Sequence, residues 1–142
     1  MSRVAEYRKK TPFYNYYNPN PLSDEKKAWD RGDCVIRAFA VALDISWVEA
    51  FDILSEEARK TYNVPNDRKV FDAVLKRNGA IYHGVKPQEG EKRMTVAEFC
   101  KTHPDGRFFV KISSHCTAVV NGVCLDTWNP SKKAVCCYYQ IN

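Results

Sequence analysis

Apolar residues crowd into one stretch of this chain more densely than anywhere else. In "CVIRAFAVAL", residues 34–43, only Arg37 is polar. A helix built from it has almost no face suited to water and must be covered on all sides. The pattern therefore predicts a central buried helix from Asp33 or Cys34 to Leu43. Beyond "DIS" the pattern turns amphipathic. Ser46 and Glu49 stand at capping-box spacing and open a second helix expected to reach about Tyr62. After "PND", "RKVFDAVLKRNG" predicts a third helix with Gly79 at its stop position. A short extended piece, "AIYHGV", follows. Thr95 and Glu98 repeat the capping-box spacing before a short helix that ends ahead of Pro104.

After "PDG" the texture changes. "RFFVKI", "HCTAVV", "VCLDTW" and "AVCCYYQI" are short, β-branched and aromatic runs separated by turn residues, which is the signature of strands. Asn121-Gly122 between two of them signals a two-residue hairpin turn. Helices first and an antiparallel sheet second define an α+β domain. At 142 residues the chain is expected to be one domain. Residues 1–23, dense in aromatic, Asn and Pro residues, predict an irregular arm that lies on the domain and buries its rings.

Composition narrows the function classes. With 44% hydrophobic and 27% charged residues, the chain is globular rather than disordered. Its net charge of +5 comes from basic residues scattered in short groups such as "YRKK", "EKK" and "SKK". Nucleic-acid binding through the aromatic, basic arm is therefore the weakest reading. No apolar run has the length of a membrane span, and the first residues lack the apolar core of a signal peptide. The expectation is a cytoplasmic protein without membrane contact, its six cysteines reduced. No C-x-x-C pair occurs, so the spacing supplies no zinc site, and no cofactor is called for. Cys136 and Cys137 should point to opposite faces of a strand. Packing accounts for most of the six thiols, and His83 and His103 are expected at the surface.

Counting outward from the hairpin turn gives a register. If Asn121-Gly122 is the loop, Val120 pairs with Val123, Thr117 with Asp126, and His115 with Trp128. His115, Thr117, Asp126 and Trp128 then share one side of the sheet, and Cys116, Ala118 and Val120 share the other, the core side. A cysteine at a helix N-terminus, joined by a histidine and an aspartate, has the parts of a thiol nucleophile. The imidazole takes the thiol proton, the carboxylate orients the ring, and the helix N-terminus favours thiolate. Asp33, next to the thiol, is expected to oppose ionisation somewhat. Asn129 is the rival to Asp126 as the orienting group.

"GDCVIRAFA" followed by "SSHCTAVVNGVCLDTWN" resembles the papain-like cysteine peptidase superfamily, in particular its small bacterial and phage-type members. The likeness covers roughly residues 30–140, by order and spacing of motifs. It implies a nucleophile, Cys34, opening the central helix, with His115 as general base and Asp126 as orienting acid. It also implies an acyl-enzyme route on a protein or peptide substrate. The superfamily usually carries a Gln a few residues before the nucleophile that helps form the oxyanion hole. "KKAWDRGDC" has none. The Cys34 amide remains as one donor, with Trp29 a candidate for the second. That departure keeps a second reading open, a non-catalytic interaction module on the same fold, phage-encoded and binding a host protein. Oligomeric state is not encoded in any of these patterns.

Overall fold

A computed structural model of the protein describes residues 8–22, 32–87 and 90–142. The arm beyond those limits and Trp29 lie outside the described residues. The apolar run forms helix α1, Cys34–Leu43, in which every residue from Val35 to Ala42 is buried. Helix α2, Trp47–Thr61, starts at Ser46, whose hydroxyl accepts the Glu49 N–H. Helix α3, Arg68–Arg77, is capped by Asp67, and α4, Val96–Thr102, carries the full Thr95–Glu98 capping box. The strands are β1 Tyr14–Tyr16, β2 Ile81–Gly84, β3 Arg107–Ile112, β4 His115–Val120, β5 Val123–Asp126 and β6 Val135–Ile141. These elements make an α+β fold.

The six strands form one sheet in the order β1-β5-β4-β3-β6-β2. It is mixed, not antiparallel throughout as the strand pattern predicts. β1 runs parallel to β5, with Tyr14 opposite Cys124 and Tyr16 opposite Asp126. So the arm is not wholly irregular. A three-residue strand among Asn and Pro residues is too short to show a period, and its partner lies at the other end of the sequence.

Alternation along β3 and β4 sends side chains to both faces, and both are covered. Phe109, Cys116 and Ala118 pack with α1, α2 and α3 in one core. Phe108, Val110, Ile112 and Val119 pack with Tyr14, Val96 and Phe99 in a second core on the other face. Cys137 is buried in the first core and Cys136 is half-buried, but alternation does not run through this point: a register shift opposite Lys111 and Ile112 leaves Cys136 as an extra residue and puts Val135 and Cys137 in different cores. Among the described residues no helix is long and apolar enough to cross a membrane.

The hairpin turn has the expected register, with Val120 opposite Val123, Val119 opposite Cys124 and Ala118 opposite Leu125. Both turn residues have positive φ, 49° at Asn121 and 77° at Gly122, as the primed two-residue turn demands. The tip also touches the end of α4. A Cβ at Gly122 would sit 3.2 Å from the Cys100 carbonyl oxygen and 3.2 Å from Pro104 Cα. Gly122→Ala should thus combine left-handed backbone strain with a tight contact against the α4 backbone, and lower stability by about 1–2 kcal/mol. Urea unfolding should show a lower midpoint with an unchanged slope. An unmoved midpoint would mean that the turn is not held against α4.

Candidate active site

Three element ends meet beside the N-terminus of α1. Cys34 is its first residue, His115 is the first residue of β4, and Asp126 is the last of β5. Because α1 packs along β4, its start lies against the start of that strand. The Cys34 thiol interacts there with the His115 ring and with the backbone at Cys116. His115 Nε2 lies 2.7 Å from Asp126 Oδ2, and the two side chains are only 11% and 4% exposed. With Nε2 committed to the carboxylate, Nδ1 is the ring nitrogen left for the thiol. The Trp128 ring covers this pair, its centroid 4.8 Å from that of His115.

Burial pushes the Cys34 thiol up. Hydrogen bonding from His115 and the Cys116 backbone, with the charges of His115 and Arg37, outweighs burial and leaves the thiol below its ordinary value. Burial alone would depress His115, but its hydrogen bonds to Asp126 and Cys34, and their charges, raise it to about 9. The thiol's downward shift and the imidazole's upward shift together favour a thiolate–imidazolium pair near neutral pH. Elsewhere burial dominates. It lifts Cys100 to about 11 and pushes Cys116, Cys124 and Cys137 above the ordinary thiol value.

Asp126 is held from several sides. Its Oδ1 accepts the Thr127 N–H at 2.7 Å. Its backbone carbonyl accepts the Tyr17 N–H at 3.0 Å and the Tyr14 hydroxyl at 3.1 Å. Tyr14 is fully buried, and burial followed by the Asp126 charge keeps its phenol protonated as a donor. The rival, Asn129, is engaged locally, its Oδ1 accepting from the Ser131 N–H and hydroxyl.

One expectation changes at the site. Asp33 does not stand as a bare charge beside the thiol, because its carboxylate pairs with Arg37. His83 and His103 lie partly exposed at the surface, with one ring face packed: His83 stacks on Tyr138 at 4.8 Å, and His103 on Phe99 at 4.0 Å. The face that carries Thr117 is covered by the second core. The site lies at the end of the sheet instead. Tyr14 and Arg37 were missed as contributors. The period-breaking polar residue at 37, inside an otherwise apolar helix, was the available signal for the second.

Among the described residues no group of three or more His, Cys, Asp or Glu is arranged to hold a metal ion. Comparison of the chain with protein-family models, with curated proteins and with solved structures gives no match. The site's own geometry is thus the basis for assigning a class, an α+β protein with a thiol, an imidazole and a carboxylate in sequence.

The electrostatics give a test that needs no substrate. Cys34 should be the fastest of the six cysteines to react with iodoacetamide at neutral pH, as peptide mapping would report. His115→Ala removes the main opposing influence and leaves burial, so the pH midpoint of Cys34 alkylation should rise. Each unit of that rise means about tenfold less thiolate well below the midpoint. Alkylation of Cys34 no faster than that of Cys100 or Cys124 would refute this assignment.

Proposed function

We propose that the protein is a papain-like thiol hydrolase that cuts a peptide or isopeptide bond through an acyl-enzyme intermediate. The observation that carries this is the 2.7 Å His115–Asp126 contact beside a half-buried thiol at a helix N-terminus. The Cys34 thiolate attacks the carbonyl carbon, and its electrons move onto the oxygen. Collapse of that intermediate expels the amine, which takes its proton from the His115 imidazolium. Water then gives a proton to neutral His115 as its oxygen attacks the thioester, and the acid leaves with Cys34 restored as thiolate beside protonated His115. Asp126 holds the ring throughout and stabilises its charged form.

The α1 N-terminus supports the reading, since its partial positive charge suits both the thiolate and the oxyanion. The absence of a Gln in "KKAWDRGDC" favours the alternative, a non-catalytic module of the same type that binds a protein partner. Loss of one oxyanion donor typically costs about 100- to 1,000-fold in rate. The expected protein therefore acylates quickly on a strong electrophile but hydrolyses generic peptides slowly.

A vinyl-sulfone or activated-acyl probe should label the wild type at Cys34 and fail on a folded Cys34→Ala variant. Turnover, where measurable, should fall off on the acid side as Cys34 protonates. On the alkaline side it should fall as His115 loses its proton, near pH 9. No labelling of the folded wild type would hand the case to the binding module.

A further inference from the structure

An aspartate at a helix N-cap ordinarily turns its carboxylate back to accept an N–H of the first turn. Asp67 does so for α3, accepting the Lys69 N–H at 2.8 Å, and Ser46 and Thr95 cap α2 and α4 in the same manner. Asp33, the N-cap of α1, makes no such bond, and its backbone (φ −106°, ψ 23°) is not the extended form seen at the other three caps. Its carboxylate points elsewhere. Arg37 Nη1 donates to Oδ1, Trp47 Nε1 donates to Oδ2 at 3.0 Å, and Asn20 Nδ2 donates to Oδ2 at 3.2 Å. Asp33 and Arg37 are 6% and 4% exposed, so this is a buried ion pair with added neutral donors.

We propose that Asp33 is a positioning residue of the Cys34 site. Its carboxylate is held off the first-turn amides of α1 by Arg37, Trp47 and Asn20, so that the positive end of the helix faces the sulfur and the substrate oxygen uncapped. The proposal deepens the thiol-hydrolase reading and rests on it for its chemical consequence. A carboxylate capping α1 would accept the Val35 or Ile36 N–H and quench the positive helix end that favours a thiolate and an oxyanion beside the Cys34 amide. It would also bring a negative charge to the sulfur. α1 carries no acidic residue in its first turn, so the withheld carboxylate leaves that end positive. The three donors come from the arm, from α2 and from α1 itself. Docking of those elements is therefore what sets the nucleophile's surroundings.

The test loosens the carboxylate without removing it. Trp47→Phe deletes the indole donor and keeps a ring to stack on Phe51, which lies 5.4 Å away. Asn20→Ala deletes the donor from the arm. In each variant the pH midpoint of Cys34 alkylation should rise, by about half to one unit. Exchange of the Val35 and Ile36 amides should slow as the carboxylate comes to cap them. Adding Asp33→Asn to either variant should abolish the rise, because no charge is left to swing. Unmoved midpoints together with unslowed exchange, or an equal rise in the Asp33→Asn background, would overturn the proposal. A wild type with a depressed Cys34 midpoint that no vinyl-sulfone or activated-acyl probe labels would remove the hydrolase reading and leave this comparison intact.

Discussion

A helix with almost no polar face cannot lie at a surface, and the need to cover α1 organises the molecule. Val35 to Ala42 are all buried, Phe39 completely. Each large apolar side chain so removed from water contributes about 1.5–3 kcal/mol. The sheet supplies one wall and α2 another, with α3 packed into the same core. A helix wrapped in this way can meet solvent only at its ends. Its N-terminus emerges at the end of the sheet, where β4 begins and β5 finishes. Cys34 sits on that boundary, half-buried, and covering the helix is what brings it to His115.

Burial at this boundary makes every charge there costly unless it is paired. The arrangement answers with alternating signs. Asp126 faces His115, and His115 faces the Cys34 sulfur. Arg37, whose charge also favours the thiolate, is itself balanced by Asp33. In a low-dielectric setting such contacts are stronger than in water, and an unpaired member would be correspondingly expensive. The shifts of Cys34 downward and His115 upward are two sides of one interaction.

The arm ties this electrostatic chain to the rest of the fold. β1 covers the open side of β5, and its Tyr14 hydroxyl and the Tyr17 N–H just beyond it both bind the Asp126 carbonyl. Farther along, Asn20 reaches Asp33. One N-terminal segment thus contacts the residues that flank both ends of the Cys34–His115–Asp126 line. Aromatic content in the arm serves packing, with Tyr14 part of the second core, and its hydroxyl also fixes the backbone carbonyl of Asp126.

Much of this was legible along the chain. Hydrophobic periodicity and capping spacing located the four helices among the described residues, because those signals act within a turn or two of backbone. Asn121-Gly122 set the hairpin register, since only residues tolerant of positive φ close so short a loop. That register put His115 and Asp126 on one side before any packing was known. The parallel pairing of β1, the covering of the sheet's second face and the Tyr14 clamp were not legible, for each depends on which distant segment arrives. Asp33 shows the division most clearly. Its sequence position made it a helix cap beside a thiol, whereas its actual partners come from an arm and a second helix. Local backbone geometry determined where the elements begin and turn. Only tertiary packing, by bringing donors from far along the chain to one buried carboxylate, decided what that charge does.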